Sequence, residues 1–309
     1  MESIRIFAPA SVANVSCGFD VLGFCLDPIG DEMVLRKTKE KGVRITKIEG
    51  ASLPMEVNKN VASVALLALL EDHPCDYGFE MEIYKKIKPG SGIGSSAASA
   101  AGAVFAANQL MGAPLSSKEL IQYAMAGEQL ASGAAHADNL TPVLLGGFTL
   151  VRCNTTLDVI KLPTPKELVA TILHPKIELK TSHSRAILKQ TIPLGKAVQQ
   201  WGNLAALVSA LYTEDYELLS RSLEDKIIEP YRAMLIPMFE DIRTAAMDAG
   251  ALGSGISGSG PSIYALSRGM ETAERVGKAM RKVIDHVDLE YEIHISKINP
   301  EGIKILSQE

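Results

Sequence analysis

The residues best placed to do chemistry lie in one run, Pro89-Gly90-Ser91-Gly92-Ile93-Gly94-Ser95-Ser96-Ala97-Ala98-Ser99. Glycines at alternate positions let a backbone bend and approach a ligand where a Cβ would collide. The alanine-rich stretch Ser95–Met111, closed by Gly112, predicts a helix that starts where the glycines end. Its first amides have no partner within the helix, and they and its dipole point back into the turn. That combination is an anion site. Ser95 and Ser96 add hydroxyls that can cap a helix, bond to phosphate or ligate Mg²⁺. A serine-capped helix after a plain turn has the same sequence, so the loop alone does not decide. It is not a Walker A box, because no Lys-Ser/Thr pair follows the last glycine.

A second glycine segment, Gly253-Ser254-Gly255-Ile256-Ser257-Gly258, fits G-x-G-x-x-G literally. The dinucleotide fingerprint needs a strand before it and a helix after it. Here Met234–Ala249 predicts a helix before and Ser262–Ser267 a strand after, so an oxidoreductase of that class is rejected. The four cysteines, Cys17, Cys25, Cys75 and Cys153, form no C-x-x-C pair, which argues against zinc and against a disulfide framework. A net charge of −5 with mixed signs gives no basic footprint for nucleic acid and no polybasic membrane segment. No signal peptide is read at the N-terminus, and the apolar stretches are too short to span a bilayer, which predicts a cytoplasmic protein.

Around these segments the pattern predicts strands at Ser3–Phe7, Met33–Lys37, Val43–Ile48, Gly78–Ile87 and Gly147–Arg152, with a polar loop after the first. Asn60 reads as the N-cap of a helix over Val61–Leu70, and Ser116 with Glu119 as a capping box for a helix running to about Ala131. The proline-marked stretch Leu162–Lys166 is the boundary between a domain at 1–160 and one at 161–309. Beyond it come a strand at Val169–His174, helices at Ser184–Gln190, Leu194–Tyr212, Glu214–Leu223, Met234–Ala249 and Glu271–Asp285, and strands at Ser262–Ser267 and Leu289–Lys297. Strands and helices mix without strict βαβ alternation, which predicts the α+β class.

Taken with Ala8-Pro9-Ala10-Ser11-Val12-Ala13-Asn14 through Gly18-Phe19-Asp20-Val21-Leu22-Gly23, and with Gly255-Ile256-Ser257-Gly258-Ser259-Gly260-Pro261-Ser262, the loop resembles the three signature motifs of the GHMP kinases. They stand in order across residues 8–262. The first motif resembles that of the homoserine kinases within the family, and Gly127-Glu128 followed by His136-Ala137-Asp138-Asn139 is similar to a segment of those enzymes. Ile93 stands where leucine is usual and Ser16 where glycine is frequent, and neither removes a group the chemistry needs.

The resemblance implies a two-domain GHMP kinase fold with ATP in the interdomain cleft, and phosphorylation of L-homoserine in threonine biosynthesis. The cofactors it implies are ATP and Mg²⁺, and it further implies a homodimer. The run Pro89–Ser99 would wrap the phosphates with Gly258, Ser259 and Gly260, Asn60 would meet the base or ribose, and Ser96 and Glu128 would hold the metal. Asn14 and Asp20 would take the substrate ammonium, and Arg185 and Arg232 its carboxylate. Thr181, His136 and Asn139 would line the path of the hydroxyl, with Asn139, His136 and Ser96 the catalytic set and no obligatory carboxylate base. At this stage a mevalonate-, shikimate- or sugar-alcohol-type kinase remains an alternative. So does a non-catalytic nucleotide or amino-acid sensor, although it would be expected to lack Glu128 or the loop serines.

Overall fold

The computed structural model describes residues 1–309. The alternating start of the chain opens strand β1, which runs over Ser3–Ala13 and takes in Ala8–Ala13, expected as loop. Small residues have little strand preference of their own. Here β1 is held by pairing with β2 (Leu22–Thr38), which likewise starts well before the expected Met33. The register shifts between Pro9 and Ser11, where a proline without an N–H is tolerated. Strands β3 (Val43–Glu49), β4 (Gly78–Tyr84), β5 (Phe148–Cys153) and β6 (Asp158–Leu162) complete most of this sheet. The last segment of the chain, β11 (Lys304–Gln308), pairs with β1 to give the order β11-β1-β2-β4-β3, with β5 joined to β2 and β6 to β5. All these pairings are antiparallel except β3 with β4.

Helices α1 (Val61–Asp72), α2 (Ser95–Leu110), α3 (Ser117–Ser132) and α4 (Leu140–Leu145) cover one face of that sheet. Both predicted caps are present. Asn60 accepts from the Ala62 amide at 3.0 Å, and Ser116 and Glu119 form the reciprocal box. The small residues of α2 let it lie close on β1. A Cβ at Gly102 would sit 3.2 Å from Ala8 Cβ.

The second sheet has the order β10-β7-β9-β8, with β7 over Leu168–Pro175, β8 over Gly253–Ile256, β9 over Ile263–Arg268 and β10 over Tyr291–Lys297. The G-x-G-x-x-G segment is therefore itself a short strand and its turn into β9, preceded by a helix. That helix, α9, spans Phe239–Asp248, not Met234–Ala249. Pro237 holds Ile236 in the extended region and breaks the periodic run. The helix expected at Ser184–Gln190 lies at Thr181–Ala186 (α5). Further helices are α6 (Leu194–Thr213), α7 (Tyr216–Ser222), α8 (Glu229–Arg232) and α10 (Met270–Ile284). One apolar cluster reaches from Ile4 and α2 to Leu168, Tyr264 and Leu266, so the sheets share a core. No helix is long and apolar enough to cross a membrane.

Candidate active site

The three glycine segments, far apart in sequence, touch one another at the mouth of a cleft of about 430 Å³. The Ser11 amide donates to Ile93 O at 3.2 Å, Gly258 N to Ala13 O at 3.0 Å, and Ser257 Oγ to Gly92 O at 2.7 Å. Two of these contacts are backbone to backbone and the third is from a serine hydroxyl to a backbone carbonyl. A Cβ at Gly92 would stand 2.6 Å from Gly260 O, and one at Gly94 would stand 2.2 Å from Ser11 Oγ. The alternate glycines thus serve protein–protein approach, where the sequence suggested approach to a ligand. All three have positive φ.

The consequence is a row of free donors. The amides of Gly92, Ile93, Gly94, Ser95, Ser96 and Ala97 donate to no acceptor within the protein. Of the loop residues, Pro89, Gly90, Gly92, Gly94, Ser95, Ser96 and Ser99 line the cleft. Ser91, Ile93, Ala97 and Ala98 are buried off its lining, as is Gly260 in the third segment. Two hydroxyls are already engaged: Ser95 Oγ donates to Ile87 O and Ser99 Oγ to Ser95 O. Asn60 does not line the cleft. Its side chain caps α1 and donates to Pro54 O at 2.9 Å, while its neighbours Leu53 and Val61 form an apolar patch of the wall.

Ser96, at the start of α2, turns its hydroxyl to Glu128 of α3. Glu128 is buried, and its Oε1 has no hydrogen-bond partner. Burial pushes its pKa up to about 7, with the Ser96 hydroxyl opposing. A carboxylate oxygen without a donor, Glu128 Oε1, beside the Ser96 hydroxyl supplies the hard oxygen ligands Mg²⁺ takes. Asp138 lies nearby and is also buried. Its pKa rises to about 7, first through burial and then through the charges of Asp20 and Glu128.

At the other end of the cleft the groups are ionic. Arg185 donates through both terminal nitrogens to Asp20, at 3.0 and 2.7 Å. His136 Nδ1 lies 3.9 Å from Asp20 Oδ2, and neither ring nitrogen has a hydrogen-bond partner. Arg232 is buried and donates to Ser184 O and Gly258 O; burial, then Arg185, lowers its pKa to about 10. Both guanidiniums lie over the Phe19 ring. Asn14 bridges the loops, donating to Gly258 O at 2.5 Å and accepting from the Asp20 amide. Thr181 Oγ1 is 3.2 Å from Ser259 Oγ. Asn139 accepts from Ser11 Oγ at 2.9 Å, its backbone N–H donates to Asp138 Oδ1 at 3.0 Å, and its side-chain Nδ2 makes no bond within the protein. The turn carrying Asn14, Val15, Ser16 and Asp20 has φ of 74°, 39°, 59° and 60°, which is costly, above all for a β-branched valine.

Several wall residues are absent from the sequence reading, among them Leu53, Val61, Glu178 and Lys180, and one of them is a buried cation. Lys85 is buried at the wall, paired with Asp31, and donates to Ser95 O and Ser99 Oγ at 3.0 Å each. Asp31 in turn accepts from the amides of Lys86 and Ile87. In sequence, Lys85-Lys86 looks like the solvated end of a strand, and no local signal distinguishes the two.

The chain is similar to known proteins over nearly its whole length. The family profiles described as GHMP kinases N terminal domain and GHMP kinases C terminal match residues 60–147 and 207–286. A homoserine kinase of Chlorobium phaeobacteroides is 46% identical over 99% of this chain and 100% of that protein. One from Xylella fastidiosa is 39% identical over 98% and 94%. The crystal structure of homoserine kinase from Cytophaga hutchinsonii superposes with a TM-score of 0.96 at 51% identity, covering 99% of this chain and 98% of that one. The L. major mevalonate kinase in complex with R-mevalonate shares the fold, with a TM-score of 0.70 at 16% identity over 95% and 96%.

Proposed function

This chain belongs to the GHMP kinase family, and we propose that it transfers the γ-phosphoryl group of ATP to the hydroxyl of L-homoserine, yielding O-phospho-L-homoserine for threonine biosynthesis. The observation that carries the chemistry is the row of free amides from Gly92 to Ala97 at the head of a helix. Of these, Gly92, Gly94, Ser95 and Ser96 line the cleft at a helix N-terminus, which fits a polyphosphate. The relatives supply the acceptor, since each carries the name homoserine kinase at full length.

In this proposal the nucleotide base rests against Leu53 and Val61, and the loop amides hold the phosphates. Ser96 and Glu128 would hold Mg²⁺, which when bound neutralises phosphate charge. The acceptor is a zwitterion: its ammonium goes to Asp20, with Asn14 beside it, and its carboxylate to Arg185 and Arg232. A guanidinium fork matches a carboxylate in two hydrogen bonds. His136, Thr181 and Asn139 direct the hydroxyl. Its oxygen bonds to the γ-phosphorus as the bond to the bridging oxygen breaks, and ADP leaves. Such a loose transition state depends chiefly on alignment and charge neutralisation. The hydroxyl proton then departs on a phosphoryl oxygen, with no carboxylate base required.

A second version of the proton step draws on Asp138, which lines the cleft with a pKa of about 7 and could take the proton directly. The Asp138→Asn and Asn139→Ala proteins separate the two. A loss of about a thousandfold in kcat for Asp138→Asn alone, within the range general bases supply, installs the aspartate. A small loss there with a larger one for Asn139→Ala retains the base-free step.

Further parts of the proposal are a cytoplasmic location, domains at 1–160 and 161–309 with β11 returning to the first sheet, and a homodimer. Leu194, Val198 and Trp201 stand exposed on one face of α6 and supply apolar surface for the dimer, which light scattering would test. The assignment of function is tested by ADP release in parallel with homoserine, mevalonate and shikimate. Turnover with homoserine alone, and a new phosphomonoester by ³¹P NMR, is the expected outcome. Equal turnover with mevalonate or shikimate, or none with homoserine, overturns it.

A further inference from the structure

A phosphate loop works only if its carbonyl oxygens point away from the anion. Two consecutive carbonyls of this loop are held by serines of the third glycine segment. Ser257 Oγ donates to Gly92 O at 2.7 Å, and Ser262 donates to Ser91 O through both Oγ, at 2.6 Å, and its amide, at 3.2 Å. Ser91 depends on that anchor, because its own hydroxyl is buried without a partner.

Behind Ser262 lies His174 of β7, buried, with Nδ1 3.2 Å from Ser262 Oγ. A serine hydroxyl carries one proton. At 2.6 Å two oxygens without a proton between them would repel, so the proton lies toward Ser91 O. Ser262 Oγ must then accept, and the donor is His174 Nδ1–H. Burial pulls the His174 pKa down to about 4, opposed by Glu292, so the ring is neutral and its single N–H sits on Nδ1.

We propose that His174 is a positioning residue for nucleotide binding, acting through the chain His174 Nδ1–H to Ser262 Oγ–H to Ser91 O to turn the phosphate-loop carbonyl out of the cleft. It joins the second sheet to a loop borne by the first. The inference rests on the assignment of Pro89–Ser99 as the nucleotide site.

The test compares His174→Leu, which removes the donor, with His174→Asn, whose side-chain N–H can stand where Nδ1–H does. Calorimetric titration with ADP and steady-state kinetics are run on both proteins and the parent. For His174→Leu, Kd for ADP and KM for ATP should rise about tenfold, the scale of one hydrogen bond, with KM for homoserine within about twofold of the parent. His174→Asn should restore nucleotide affinity to within about twofold. Parental affinity in His174→Leu, equal weakening in both variants, or a joint rise of both KM values overturns the proposal. If His174→Leu does not fold, ¹⁵N NMR of the parent decides: an Nδ1–H tautomer at His174 is expected, and Nε2–H sinks the relay. A parent that binds no ADP would overturn the site assignment itself, whereas a parent that binds ADP beside an indifferent His174→Leu overturns only the relay.

Discussion

At the proposed phosphate end of the cleft the groups on offer are backbone amides, fixed by loops that touch at glycines; at the proposed acceptor end they are ionisable side chains that satisfy one another. The difference lies in what each end must do before a ligand arrives. The amides from Gly92 to Ala97 are left open by local geometry and have nothing to give up. Asp20 and Arg185 are bonded to each other, and a zwitterion must replace that bond with two of its own. One end is prepared by steric fit, the other by charge.

The largest expected effect breaks the steric end. Gly94→Val places side-chain atoms on Ser11 Oγ at a φ of +69°, and should reduce kcat/KM by at least about a thousandfold and lower the melting temperature. Gly112→Ala is the matched control. It too has positive φ, but nothing lies within 4 Å, so a cost of about 1 kcal/mol with activity retained is expected from denaturant unfolding. Equal damage from both would show that backbone strain, not loop contact, sets the requirement.

Glu128→Gln probes the junction between the ends. Activity should fall about a hundredfold or more, while the nucleotide-free protein becomes more stable at pH 8, because a buried charge without a donor is gone. A variant both fully active and no more stable would remove Glu128 from the site. Arg185→Lys tests the charged end. A point charge cannot reproduce the fork, so KM for homoserine should rise about tenfold or more with KM for ATP nearly unchanged. A shift in the ATP value instead would place Arg185 at the wrong end of the cleft.

The smallest effect is the pH slope of stability. Glu128, Asp138 and Glu229 all have pKa values raised to about 7 in the folded state, mainly by burial. The folded protein therefore binds more protons than the unfolded chain between about pH 4 and pH 7. The stability these groups contribute is complete below their unfolded pKa values and is lost as pH rises through about 7. Melting temperature without ligand should fall from pH 5.5 to pH 8, and Glu128→Gln should flatten part of that fall. A melting temperature that rises over this interval contradicts the assignment.

The phosphate end was legible in the sequence because its signal is local: glycine spacing, a small-residue helix and its caps fall within about twenty residues. Even so, the purpose of Gly92 and Gly94 appeared only when Gly260 and Ser11 came to rest against them. At the acceptor end, Asp20 and Arg185 carried no local signal and rested on resemblance, since each looks like any surface charge. Lys85 escaped altogether, because adjacent lysines at a strand end usually face water. Asn60 was read correctly as a cap, and that same bond engages the side chain proposed for the nucleotide.

What the sequence determined by itself was the α+β class, most element positions and a glycine loop opening a helix, the candidate for an anion site, because these follow from hydrophobic period, caps and glycine chemistry over short distances. The tertiary structure decided the strand character of Ala8–Ala13, the shortening of α9 at Pro237, the return of β11 to the first sheet and the junction of the loops. Pairing partners, burial and the loss of solvent around Glu128, Asp138 and His174 depend on segments tens of residues to more than a hundred away. No local pattern encodes the dielectric a side chain will meet once those segments close around it.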